Sequence, residues 1–139
     1  DKGTSSGIQK DDVAVLRRAL VGKVTEVGDN WAEITSIIEP ESSVGALVTR
    51  TQDIAIAEGD LGLKDKGKLK LSFIADSAGL VAGDSIETSG IGGVYPKGLL
   101  IGTVSEILTD SAKNTNYAVV DTEVDFERIR EVMVIKSKQ

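Results

Sequence analysis

The sequence predicts an all-β protein made of two small barrels of five or six strands each, related by an internal duplication. Three observations carry this reading. Clusters of Gly, Asp, Asn and Ser punctuate short runs of alternating or β-branched residues along the whole chain. Only Trp31, Phe73, Tyr95, Tyr117 and Phe126 are aromatic, so the core has to come largely from Val, Ile, Leu and Ala, whose branched members pack well on a pleated surface. Finally, Leu20-Val21-Gly22-Lys23-Val24-Thr25-Glu26-Val27 returns as Leu100-Ile101-Gly102-Thr103-Val104-Ser105-Glu106-Ile107.

Taken in order, the expected strands begin with Val13–Leu16. The stretch from Asp12 to Leu20 also fits a capped amphipathic helix, and the β-branched Val13 and Val15 favour the strand. Val21–Val27, Ala32–Ile38, Val44–Thr49 and Ile54–Ala57 follow. In Leu69–Ile74 the apolar Leu69, Leu71 and Phe73 alternate with Lys68, Lys70 and Ser72, which predicts a strand with one buried and one cationic face, its lysines guarding an exposed edge. Lys64-Asp65-Lys66-Gly67 reads as the hairpin turn before it. Ser85–Thr88, Gly102–Ile107, Tyr117–Thr122 and Glu131–Ile135 complete the set. A single helical turn capped by Asp125, with Phe126 and Ile129 facing inward, is expected just before the last strand.

The repeat sets the organisation. Seven of its eight positions are identical or conservative, Asn30-Trp31-Ala32 is echoed by Asn116-Tyr117-Ala118, and Gly7-Ile8 by Gly79-Leu80. Three matches in one order point to two copies of one β-unit. The expected division is residues 1–75 for the first barrel and 76–139 for the second, with the C-terminal strand free to return to the first.

Composition removes many functions. A net charge of −6 without a long Lys/Arg cluster argues against nucleic acid and against an acidic membrane surface. With no Cys and no His, thiolate sites, disulfides and the commonest zinc ligand and general base are unavailable, and no metal or cofactor is expected. No apolar run approaches the roughly 18 residues that cross a bilayer, so the chain reads as a soluble piece.

One segment concentrates candidate function. Thr88, Ser89, Gly90, Gly92, Gly93, Tyr95, Pro96, Lys97 and Gly98 form a glycine-rich loop. It is not a phosphate cradle, because Lys97 is followed by Gly98 and a strand-like run instead of Ser/Thr and a helix, and Tyr95 stands where a dinucleotide fingerprint needs its third Gly. Turn chemistry explains part of it: the glycines supply positive φ, and Pro96 forces Tyr95 extended. The rest is expected to be a protein-contact surface with Tyr95 as its anchor, since buried aromatics dominate interfaces. A Ser–Lys hydrolase using Ser89 and Lys97 is the remaining catalytic arrangement, and nothing in the spacing requires it. A small barrel-type ligand or peptide binding module is the other alternative.

The run Leu20-Val21-Gly22-Lys23-Val24, then Glu39-Pro40-Glu41-Ser42-Ser43-Val44, the Glu58-Gly59-Asp60 turn and above all Gly83-Asp84, Thr88-Ser89-Gly90 and Gly93-Val94-Tyr95-Pro96-Lys97-Gly98-Leu99 resemble the rod shape-determining family MreC. Tyr95 stands where that family more often has Phe. The resemblance implies an extracytoplasmic, non-enzymatic scaffold of cell-wall elongation, whose barrels look like those of chymotrypsin-type proteases without the catalytic residues. It implies a membrane anchor through an N-terminal helix outside this chain. The implied partners are further MreC copies, the membrane protein MreD, an elongation-specific penicillin-binding transpeptidase and, indirectly, the actin-like MreB.

Overall fold

Side-chain alternation across a pleat, not helical spacing, governs the chain from its first strand. In the computed structural model, which describes residues 7–75, 79–126 and 133–135, β1 is Val13–Leu16. Val13 and Val15 join the main core while Ala14 points into a second, smaller cluster with Ala19, Val21 and Val124. A helix would not split these neighbours between opposite sides, so the strand prevails over the amphipathic helix. The other strands are β2 (Ala19–Val27), β3 (Ala32–Ser36), β4 (Ser43–Val48), β5 (Ile54–Glu58), β6 (Lys68–Ser72), β7 (Ser85–Thr88), β8 (Leu100–Asp110), β9 (Thr115–Thr122) and β10 (Met133–Ile135).

Strands β8, β7, β4, β5, β6 and β9 pair in that order, and β9 returns to β8 to close a six-stranded barrel. Its interior mixes small and large side chains, among them Ala46, Ala55, Ala57 and Ala118 with Leu69, Leu71 and Ile86, all at most 2% exposed. Like other barrels of this size it is filled by its own residues. Beside it, β10, β1, β2 and β3 form a four-stranded array attached through a parallel pairing of Ala19 with Leu100. No second closed ring is formed by the described residues. The barrel takes β4 to β6 from before residue 75 and β7 to β9 from after it, while β10 returns to β1.

The two copies of the repeated segment lie in equivalent hairpins. Ala14 faces Gly22 and Ile86 faces Gly102, with a register shift immediately after Ala14 and after Ile86. Val24 faces Ile34 and Val104 faces Val120, each followed by a bulge. The bulge residues Thr25 and Ser105 donate their hydroxyls to the partner strand, to Glu33 O at 3.3 Å and Val119 O at 3.1 Å. At Gly22 and Gly102 the neighbouring backbone comes so close that a Cβ would stand 2.1 Å from Thr35 O and 2.1 Å from Asp121 O. The turns entering the two hairpins also agree: Asp12 Oδ2 accepts from Gln9 N, and Asp84 Oδ2 from Val81 N.

Several local expectations are corrected. Residues 64–67 are not a simple hairpin turn, because α1 (Leu61–Lys64) runs into them, capped by Asp60, whose carboxylate accepts from Gly62 N at 3.0 Å. Strand β6 is not an edge. It lies between β5 and β9, with Lys68 ion-paired to Asp121 and the Lys70 ammonium 4.9 Å from the Tyr117 ring centroid. Phe73 does not continue the buried face, since its φ of 60° turns it off the pleat and leaves it 75% exposed. The helical turn expected from Asp125 falls at 127–130, outside the described residues, as do 131–132 of the last expected strand.

Candidate functional site

The glycine-rich loop between β7 and β8 is pinned at its base by one buried side chain. Thr88 is wholly buried, and its Oγ1 donates to Pro96 O at 2.6 Å while accepting from Leu99 N at 2.8 Å. Its backbone adds two more ties, Thr88 N to Leu99 O and Gly98 N to Thr88 O. Ser89 N donates to Gly45 O on β4, and Ser89 Oγ accepts from Ile91 N at 3.1 Å. Two hydroxyls therefore close both ends of a loop in which Gly90, Gly92, Gly93 and Gly98 all take positive φ.

Held in this way, the loop shows apolar surface outward. Ile91 is 62% exposed and Val94 37%, while Pro96 is half-buried and Lys97 exposed. Tyr95 is half-buried against the main core and also lines a cleft of about 510 Å³ with Lys23, Glu26, Glu33, Thr35 and Glu41. Burial pushes its phenol above the usual tyrosine range, and the Asp11 carboxylate adds to the rise. The structure thus gathers the sequence-predicted residues into two groups. Thr88, Ser89, Gly90 and Gly98 shape the loop, Tyr95 and Pro96 are half-buried beside it, and Lys97, with Gly92 and Gly93 at the tip, lies toward solvent.

Ser89 and Lys97 are not joined by a hydrogen bond among the described residues. The Ser89 hydroxyl is occupied as a turn acceptor and packs where a Cβ on Gly45 would stand 2.8 Å away. Sequence reasoning missed a second anchor. The Arg50 guanidinium grips Asp84 at 2.8 and 2.9 Å and reaches Gly79 O at 2.9 Å, fixing the turn that leads into β7. Hydrogen bonds from Arg50 hold the Asp84 carboxyl below the ordinary carboxylate range, against the opposing effect of its burial. The signal was present in the Gly7/Gly79 echo, which extends as far as Asp12 and Asp84.

Comparison with known proteins agrees with this architecture. The family model for rod shape-determining protein MreC, barrel core, matches residues 1–136. The cell shape-determining protein MreC of Geobacillus stearothermophilus is 32% identical over 144 residues, covering 97% of this chain and 49% of that protein. The chain spans about half the length of the curated relatives it matches. A crystal structure of MreC from Pseudomonas aeruginosa superposes with a TM-score of 0.88 at 27% identity, over 97% of this chain and 85% of that one. A complex between penicillin-binding protein PBP2 and MreC from Helicobacter pylori includes a chain that superposes with a TM-score of 0.74 over 95% of this chain and 82% of that one, and its 18% identity speaks for the fold alone. With a family match over nearly its whole length and a barrel laid out as in solved relatives, the chain belongs to the rod shape-determining MreC family.

Proposed function

We propose that this chain is a non-catalytic scaffold of the bacterial cell-wall elongation machinery, organising peptidoglycan synthases and maintaining rod shape through self-association and partner binding. The observation that supports this reading best is the Thr88–Leu99 loop: a backbone locked by buried hydroxyls that offers Ile91, Val94 and the edge of Tyr95 to solvent. A preformed apolar loop on a rigid barrel suits recognition, because little ordering entropy is lost on binding. The partners we propose are further copies of the protein, MreD, an elongation-specific penicillin-binding transpeptidase and, indirectly, MreB. The Helicobacter pylori complex supports the transpeptidase. The proposed location is outside the cytoplasm, with the full-length protein held to the membrane by an N-terminal helix that is not in this chain. Among the described residues no helix is long and apolar enough to cross a membrane.

The test is photocrosslinking in cells. A photoreactive residue at Ile91 or Val94 of the full-length protein should trap the transpeptidase or a second copy, and one at Thr115 or Asn116, in the β8–β9 turn region, serves as comparison. Equal trapping at all four positions would remove the loop from the contact surface.

A further inference from the structure

The two repeat-related hairpins, β2–β3 and β8–β9, differ in what covers them. On the outer side of β9 lies β6, with Lys68 opposite Asp121, Leu69 opposite Val120, Lys70 opposite Val119 and Leu71 opposite Ala118. Its leucines fill the barrel and its lysines face outward, Lys70 lying over Tyr117 and lining a cleft that Glu106 also lines. In the equivalent hairpin β3 takes the place of β9: Ala32, Glu33, Ile34 and Thr35 occupy the registers of Ala118, Val119, Val120 and Asp121. Strand β3 pairs with β2 only, and no described strand lies on its outer side.

The open edge is chemically complete. Ile37 N donates to Val21 O, so by antiparallel alternation the Ile34 and Ser36 amides point outward, just as Thr122 N points to Gly67 O on the covered hairpin. On one face the edge borders a cleft of about 1120 Å³ lined by the apolar Val21, Ile34, Ile38, Val124 and Phe126 together with charged residues such as Lys66, Lys68, Asp121 and Glu123. On the other it borders the smaller cleft, where Glu26, Glu33 and Glu41 outnumber Lys23. Strand β3 carries neither Lys nor Pro, and its one charged side chain is the exposed Glu33. Self-pairing of two β3 edges would bring two such acidic clefts together, which disfavours a second copy as the occupant.

We propose that the outer edge of β3 is a docking site for an extended partner segment of alternating apolar and basic residues, which adds antiparallel as a fifth strand of the array. Its apolar side chains enter the larger cleft beside Ile34, and its basic side chains meet Glu33 and Glu26, reproducing what β6 does on β9. This is strand addition, in which main-chain hydrogen bonds supply affinity and alternate side chains supply selectivity. Tyr95 of the Thr88–Leu99 loop lines the same smaller cleft, but the strand edge is open whether or not the loop binds anything.

The probe is a capped peptide copying residues 67–72, Gly-Lys-Leu-Lys-Leu-Ser, titrated into the 139-residue chain and followed by amide hydrogen exchange. Saturable binding should slow exchange at Ile34 and Ser36 while leaving Thr35, already bonded to β2, unchanged. Glu33→Lys should weaken binding about 5-fold, the size of one cross-strand charge pair, with an unaltered melting temperature because Glu33 is exposed. A Glu-for-Lys version of the peptide should bind more weakly still. Binding without protection at Ile34 and Ser36, equal binding of the Glu-for-Lys peptide, or no saturable binding would each overturn the proposal. So would finding these two amides already protected in the full-length protein alone, because its own chain would then be the occupant.

Discussion

Replacing Thr88 by Val tests whether one hydroxyl shapes the candidate loop. The substitution is close to isosteric, so the buried site keeps its volume and loses only the hydrogen bonds to Pro96 O and from Leu99 N. A buried group left without its partner costs about 1–3 kcal/mol. Pro96 and Leu99 are half-buried, so water can partly compensate, and the pair together should cost about 2–3 kcal/mol. For a chain of 139 residues, each kcal/mol lowers the melting temperature by roughly 3–5 °C, giving a fall of roughly 6–15 °C. Thr88→Ser retains both hydrogen bonds and loses one buried methyl, for which about 0.5–1.5 kcal/mol is expected. Thermal and urea denaturation of the two variants supply the assay, with the Leu99 amide exchanging faster in Thr88→Val. If Thr88→Val melts within about 2 °C of wild type, or no lower than Thr88→Ser, the hydroxyl does not hold the loop and its glycines suffice.

Gly102→Ala places a methyl 2.1 Å from Asp121 O inside the barrel's closing pair, so its cost should exceed the usual 1–3 kcal/mol of overpacking, and a variant that denatures like wild type would contradict the geometry. Because the folded pKa of Asp84 is lowered, its contribution is present above the ordinary carboxylate pKa of about 3.9 and lost as pH falls through the folded value. The stability gap between wild type and Asp84→Asn, measured by urea denaturation, should therefore be full at pH 6 and shrink below about pH 4, and a gap independent of pH would refute the Arg50 clamp. Tyr95→Ala should cost about 2–3 kcal/mol, less than a fully buried aromatic, while weakening partner capture by the folded fraction. Capture that survives undiminished would leave Tyr95 as barrel cover alone.

The strands were legible because their signal is local. A period of two marks Ser85–Thr88 to the residue, and the glycines of the Thr88–Leu99 loop announce their positive φ. What escaped was non-local. Lys68 and Lys70 look like edge guards in isolation, and only the pairing with Asp121 and the ring of Tyr117, fifty residues or so downstream, shows that they stand on the outer face of a strand paired on both sides. Phe73 keeps the apolar alternation on paper, but one backbone dihedral overrides it. The repeat points to the matching registers of β2 and β8, and the sequence leaves the C-terminal strand free to return to β1, but nothing there shows that β4 pairs with β7. Thr88 was visible only as one more turn residue, since nothing in a Thr-Ser-Gly string says which hydroxyl will be buried.

The Thr88–Leu99 loop and the outer edge of β3 meet at Tyr95. Its ring lines the same cleft as Glu33 and Thr35, so a segment added to β3 with a basic side chain over Glu33 passes beside the loop that presents Ile91 and Val94. If a partner uses both, the two sites must be energetically coupled. Residues sharing one cleft typically show interaction energies of about 0.5–3 kcal/mol, whereas separated sites add to within about 0.5 kcal/mol. A double-mutant cycle on Tyr95→Phe and Glu33→Gln resolves this: Tyr95→Phe keeps the ring and Glu33 is exposed, so neither single change should unfold the barrel. Coupling of 0.5 kcal/mol or more in partner affinity is the expected result for one continuous face. Strict additivity would mean that the loop and the strand edge serve different partners, or that only one of them serves any.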